Sequence, residues 1–119
     1  MKIAVDGMGG DHAPMEIVKG AVEASASTKH HIVLVGDEAQ INAELKKYKY
    51  DSEKISVVHA SEVISNDDAP VKAVRTKTDS SMVRGINLVK RGEAGLFISA
   101  GNTGAIMAGG LFILGRIQG

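Results

Sequence analysis

The sequence predicts an α/β fold, a parallel sheet flanked by helices, and three observations carry that reading. Apolar stretches of strand length alternate with amphipathic stretches of helix length, the order in which crossover helices join parallel strands. His31 to Gly36 (HIVLVG) is apolar along its length, as strands covered on both faces tend to be. Glycine-rich segments stand where strands end and helices begin, at Asp6 to Pro14 and at Ser99 to Ala105.

Lys2 to Asp6 reads as the first buried strand. The loop Gly7 to Ala13 then delivers Pro14, a residue suited to the first turn of a helix. In that helix Ile17, Val18, Ala21, Val22 and Ser25 recur at helical spacing and form one apolar stripe. After the second strand, Asp37 can cap a helix in which Ile41, Leu45 and Tyr48 repeat at three- and four-residue intervals. Lys46, Lys47 and Lys49 lie near its C-terminal end, where cations complement the helix dipole. Ile55 to His59 supplies the third strand.

From Ala60 to Ala69 the pattern lapses into polar and acidic residues, a surface loop of functional length. Pro70 starts a short helix through Arg75. Asp79 or Ser80 caps the next, in which Met82, Val83, Ile86 and Val89 make the buried face and Gly92 marks the end. Gly95 to Ser99 is the fourth strand, and Thr103 to Gly115 the last helix. The crossovers are expected to be right-handed. No repeat, low-complexity tract or linker divides the chain, so residues 1–119 read as one α/β domain. Leu111, Phe112, Ile113 and Leu114 form an apolar cluster beside the C-terminus, and the chain therefore reads as the incomplete N-terminal part of a longer protein.

Composition excludes several classes. Hydrophobic residues make up 44% and charged residues 24%, as in ordinary folded proteins. The 14 Lys+Arg balance 14 Asp+Glu, so no field draws the chain onto DNA or an acidic membrane, and nucleic acid is not an expected partner. The absence of cysteine removes a disulfide framework, a thiol nucleophile and Cys-ligated zinc, and fits a reducing compartment with the cytoplasm as default. Met1 to Asp6 lacks the apolar core of a signal peptide. Ala94 to Gly115 contains no charge and nears the length of a membrane span. Ser99, Gly101, Asn102, Thr103 and Gly104 would, however, place a polar turn at mid-bilayer, so a buried strand, turn and helix fit better. His30, His31 and His59 lack metal-ligand spacing, and no metal is expected.

Ligands of open parallel sheets bind beyond the carboxyl ends of the strands, where both glycine loops lie. Each loop lets backbone approach a ligand closely, and each helix start offers N–H groups to an anion, which makes phosphate the natural ligand. The pattern G-x-G-x-x-G would begin at Gly7 and Gly9 but meets His12 at the third glycine position. No G-K-[ST] follows either loop, so NAD and ATP lose support and no cofactor is expected. The bland alternative is that the glycines only make tight turns; two such loops at one end of a sheet favour a site. Lys72, Arg75 and Lys77 form a cationic group in which Lys72 and Arg75 share a helical face, either an oxyanion clamp or a solvated basic surface. For His12 the alternatives are a loop-ordering hydrogen bond and proton transfer. Asp6 and Asp11 can serve as helix-dipole partners or orient a ligand, and Asp67-Asp68 reads as an exposed acidic turn.

Lys2 to Pro14 (KIAVDGMGGDHAP), Asp68 to Ser81 (DAPVKAVRTKTDSS) and Ser99 to Gly119 (SAGNTGAIMAGGLFILGRIQG) together resemble the bacterial phosphate acyltransferases of phospholipid synthesis, in that family's order. Gly7 departs from the alanine usual after the aspartate; it loosens the turn without removing a polar group. The resemblance implies a Rossmann-like three-layer fold similar to the isocitrate and isopropylmalate dehydrogenases and to phosphotransacetylase. It also implies a second part beyond Gly119 that completes the sheet, the homodimer contact and much of the cleft. The implied reaction moves a fatty acyl group from acyl carrier protein to inorganic phosphate, giving acyl phosphate for later acylation of glycerol 3-phosphate, with no nucleotide. A cytoplasmic enzyme is implied, with peripheral association at the inner face of the membrane open to the full-length protein.

Phosphate is a weak nucleophile that must be held against the thioester carbonyl, so positioning and oxyanion stabilisation should supply most of the acceleration, with no covalent serine intermediate. On the family reading Gly9, Gly10, Gly101 and Gly104 allow close backbone approach, and Asn102 and Thr103 donate to phosphate or carbonyl oxygen. Arg75 and Lys72 neutralise phosphate charge, Asp6 and Ser99 stand among the binding residues, and His12 and Asp11 transfer protons or order the loop. Three alternatives compete: a phosphate acetyl- or butyryltransferase using coenzyme A, against which the SAGNTGA string argues; a truncated, non-catalytic phosphate-binding domain; and a peripheral membrane module resting on Leu111 to Ile117.

Overall fold

The run HIVLVG becomes the best-covered strand of the protein. In the computed structural model, which describes residues 1–110 and Ile113, it forms β2 (His31–Gly36), and every residue after His31 is buried. β2 pairs in parallel with β1 (Lys2–Asp6) on one side and with β3 (Ile55–His59) on the other. β4 (Leu96–Ile98) pairs in parallel with the free side of β1, in the register Ile3↔Leu96, Ala4↔Phe97, Val5↔Ile98. The order is therefore β3-β2-β1-β4. The chain builds outward from β1 in one direction and then returns to its other side, so the switch point lies between β1 and β4.

The alternation along β2 assigns the two faces. Ile32 and Leu34 pack with Val18 and Ala21 of α1 (Met15–Ser25) and with Ile41 and Leu45 of α2 (Glu38–Leu45). Val33 and Val35 point the other way, into a cluster with Ala4, Ala94 and the partly buried Leu88 and Val89 of α4 (Ser81–Lys90). Sequestering a side chain such as Leu34 or Ile41, both 0% exposed, contributes about 1.5–3 kcal/mol each. A third cluster ties α3 (Pro70–Thr76), α4 and α5 (Thr103–Gly109) together through Ala73, Val74, Met82, Ile86, Ala105 and Ala108.

Several ends differ from the sequence expectation by a few residues. Pro14 occupies the N-cap of α1 and the helix begins at Met15. Helix α2 stops at Leu45, yet Tyr48, in the turn beyond, still packs on the same apolar cluster. Ser80 is the cap of α4, its hydroxyl accepting Val83 N–H; Asp79 instead accepts from the backbone and hydroxyl of Ser61. Gly92, at φ 74°, takes the left-handed conformation that follows a helix end. The loop from Ala60 to Ala69 is not wholly a surface feature, because Ile64 is buried against Val74 and Met82. The uncharged run from Ala94 is divided into β4, a loop and α5, and no helix among the described residues is long and apolar enough to cross a membrane. Leu111, Phe112, Leu114 and Gly115 of the expected last helix lie outside the described residues.

Candidate functional site

Because β1 and β4 are neighbours and run in parallel, the loops that follow them leave the sheet side by side. The contact between them is polar. Asp6, the last residue of β1, is 3% exposed; its Oδ1 accepts Met8 N–H at 3.0 Å and its Oδ2 accepts the Ser99 hydroxyl at 2.8 Å. Ser99 Oγ accepts Gly101 N–H at 3.0 Å. Gly9 closes over this chain of bonds: a Cβ there would stand 3.0 Å from Asp6 Oδ2, 3.0 Å from Ser99 Oγ and 3.1 Å from the Gly101 nitrogen, so only glycine fits without a shift. Gly10, at φ 94°, has the backbone conformation that side chains resist.

Beyond this junction the first loop turns outward. Gly10, Asp11 and His12 are exposed, and no hydrogen bond among the described residues engages their backbone N–H groups. The His12 carbonyl accepts Glu16 N–H at 3.0 Å and so steadies the entry into α1. The loop thus combines an anchored half, Asp6 to Gly9, with a half whose donors are open to a ligand.

Asn102 joins the second loop to a third. Its Oδ1 caps α5 by accepting Ala105 N–H at 3.1 Å, while Nδ2 donates to the carbonyls of Ser65 at 3.0 Å and Asp68 at 3.1 Å. All the amide donors of this buried side chain are spent on the Ala60–Ala69 segment. That segment is fixed again by Lys77, whose ammonium donates to Val63 O at 2.9 Å and pairs with Asp68 at 2.8 Å. The Asp68 carboxylate also accepts Ser65 N–H, and the Lys77 and Ser65 bonds hold its pKa below the ordinary carboxylate value.

The cations separate under this arrangement. Lys77 is bound to the loop, and Lys72 and Arg75 are exposed on α3, three positions apart. Lys72 lines a cavity of about 300 Å³ with Asp67, Asp68, Ala69, Ala73, Thr76 and Lys77. The start of α3 abuts the start of α5, since a Cβ on Gly104 would come within 2.7 Å of the Pro70 ring. The structure therefore brings Asp6, Gly9, Ser99 and Gly101 together, places Asn102 and Gly104 against the loop and the helix that carry Asp68 and Lys72, and leaves Asp11 and His12 on the outer rim of the first loop. Thr103 begins α5. Sequence reasoning missed the roles of Ser65, Asp68 and Lys77 as a clamp; a lysine nine positions from an acid across a proline-started helix gives no periodic signal.

Comparison with known proteins gives a consistent result. The family model described as fatty acid synthesis protein matches residues 1–119. The chain is 52% identical over 119 residues to a phosphate acyltransferase of Clostridioides difficile (strain 630), covering all of this chain and 35% of that protein. It is 56% identical over 119 residues to a phosphate acyltransferase of Alkaliphilus oremlandii (strain OhILAs), again covering the whole chain and 36% of the relative. A phosphate acyltransferase of Clostridium tetani (strain Massachusetts / E88) is 55% identical over 120 residues, with 36% of its length covered. The chain thus spans about a third of the length of the curated relatives it matches.

Proposed function

The chain belongs to the fatty acid synthesis protein family, whose matched relatives are phosphate acyltransferases, and from that premise we propose that it forms the phosphate-binding N-terminal part of an enzyme that transfers a fatty acyl group from acyl carrier protein to inorganic phosphate. The observation that carries the phosphate-site reading is the junction of two glycine loops at the switch point between β1 and β4, with the N–H groups of Gly10, Asp11 and His12 unengaged beside it.

In this reading a phosphate oxygen attacks the thioester carbonyl, the C–S bond breaks as the tetrahedral oxyanion collapses, and the carrier leaves as a thiol after taking up the proton that phosphate loses. Acyl phosphate is the other product. Backbone donors of the first loop hold phosphate close to the carbonyl, and Lys72, which lines the cavity beside α3, offsets the charge of the bound anion together with Arg75 of the same helix. His12, on the rim of the first loop, hands the proton on in this reading, with Asp11 beside it. Asn102, whose amide hydrogens are already bound, acts by fixing the two loops it joins. The homodimer, the cytoplasmic setting and any peripheral association with the membrane belong to the full-length enzyme in this proposal.

A second reading, that these 119 residues alone bind phosphate without catalysing transfer, is favoured by one fact, the coverage of about a third of each relative. One assay separates the two. Release of free carrier-protein thiol from acyl-acyl carrier protein is followed with and without inorganic phosphate, for this chain and for a protein of the relatives' full length. Phosphate-dependent release by the long protein alone supports the proposal with the short chain as its phosphate-binding part. Release by both places the whole site within these residues, and release by neither refutes the proposed activity. An equal response with coenzyme A thioesters replaces the carrier protein by coenzyme A as the donor.

A further inference from the structure

Asp6 stands at the heart of the junction, yet a carboxylate is a poor direct ligand for phosphate, because two anions repel, most strongly where water is excluded. Its two oxygens are engaged by opposite partners: Oδ1 by Met8 of its own loop, Oδ2 by Ser99 of the loop 93 positions away. Ser99 passes the connection on by accepting Gly101 N–H. Hydrogen bonds to a charged acceptor are stronger than neutral ones, and a buried polar group costs stability when one partner is removed. The van der Waals gap above the chain of bonds is filled by the bare Cα of Gly9.

We propose that Asp6 and Ser99 are positioning residues. Their hydrogen bonds, with Gly9 as the steric complement, lock the two glycine loops at one spacing, and they act on phosphate through the backbone donors of those loops without touching it. The inference rests on the phosphate-binding reading above and assigns that site its source of rigidity. It moves Asp6 and Ser99 from the group of residues that bind phosphate to the group that holds those residues in place.

The test uses the full-length protein with Ser99→Ala, Ser99→Thr, Asp6→Asn and Gly9→Ala, reading KM for phosphate, kcat, and hydrogen exchange of amides 7–9, the bonded part of the loop, without phosphate. Ser99→Ala is expected to raise the phosphate KM about 10- to 100-fold, the scale on which small misplacements act. It should also speed exchange of the bonded amides 7–9 about tenfold, as loss of one part-buried hydrogen bond implies. Ser99→Thr keeps the hydroxyl and restores both readouts to within about threefold of the parent, whereas Asp6→Asn, which removes the charged acceptor, falls between. Gly9→Ala removes no polar group yet repeats the KM rise, and it decides the matter alone should Ser99→Ala fail to fold.

A raised KM with unchanged exchange at 7–9 would mean that the Ser99 hydroxyl contacts phosphate itself and would overturn the proposal, as would a Ser99→Ala protein with normal KM and normal exchange. If the parent protein shows no phosphate-dependent thioester cleavage, the functional reading falls, while the exchange of amides 7–9 in the same variants still decides whether the lock exists.

Discussion

The two sides of β1 are held by different physics. Toward β2 and β3 the protein is an apolar sandwich: Val18, Ile32, Leu34, Ile41 and Leu45 fill the space between the sheet and two helices, and each belongs to an element whose pattern is local. Toward β4 the ladder shortens to three residues, and polar bonds are added to the apolar α3–α4–α5 cluster: Asp6 to Ser99 and Asn102 to Ser65 and Asp68, far apart in sequence, and Lys77 to Asp68, nine positions apart. Apolar packing tolerates small rearrangements, whereas a network of directional polar bonds admits one geometry or loses a partner. A ligand site needs the second kind of construction, and the loops that could hold phosphate are found there.

The largest expected effect lies on the apolar side. Leu34→Ala should cost about 2–5 kcal/mol, because Leu34 is fully buried at the centre of the sheet and its neighbours cannot close the cavity. Urea unfolding measures it, and a loss under about 1 kcal/mol would show that this half is loosely packed. On the other side, a Cβ at Gly85 would meet the Phe97 ring at 2.1 Å, so Gly85→Ala must displace that ring from its place between β4 and α4. A cost of about 1–3 kcal/mol is expected, largely recovered in the double variant with Phe97→Leu; simple additivity of the two changes would contradict the contact.

Asn102 separates capping from clamping. Asn102→Ala removes both functions and should cost about 1–2 kcal/mol, with faster proteolysis in 61–69. Asn102→Asp keeps an acceptor for Ala105 N–H but supplies no donor to the Ser65 and Asp68 carbonyls, so it is expected not to restore protease resistance. Full restoration by aspartate would reduce the residue to a helix cap.

The smallest effect is electrostatic. Asp68 is held below its ordinary pKa by Lys77 and Ser65, so its contribution to stability is present above the unfolded-state value and is lost as pH falls through the depressed one. Asp37 and Asp79 are lowered as well, the first by the Gln40 N–H it caps and the second by Ser61. Acid titration should therefore loosen segment 61–69 only below about pH 4, near the ordinary carboxylate range. Asp68→Asn should flatten that dependence, and an unchanged acid profile would remove the Lys77 clamp from the account.

The same division explains how much could be read from the sequence. All four strands were legible because short apolar runs bounded by glycine, aspartate and histidine have few alternatives, and Asp37 and Pro70 announced their helices through local chemistry. The pair of glycine loops was legible as a pair. Their joining was not, because nothing in the spacing of Asp6 and Ser99 states that β4 returns beside β1. Nor did the sequence single out Lys77 as the cation bound to Asp68 and Val63; charge pattern shows which cations stand close along the chain but not which contacts each one makes.

The central claim is that the two loops after β1 and β4 form one phosphate site. Titration of inorganic phosphate into the ¹⁵N-labelled full-length protein, followed by amide chemical shifts, tests it most directly. The account predicts saturable shifts in residues 7–13 and 99–104 that follow a single binding curve, with the opposite edge of the sheet at Ile55–His59 unmoved. Shifts confined to one loop, two separate binding curves, or a response centred elsewhere on the protein would contradict it.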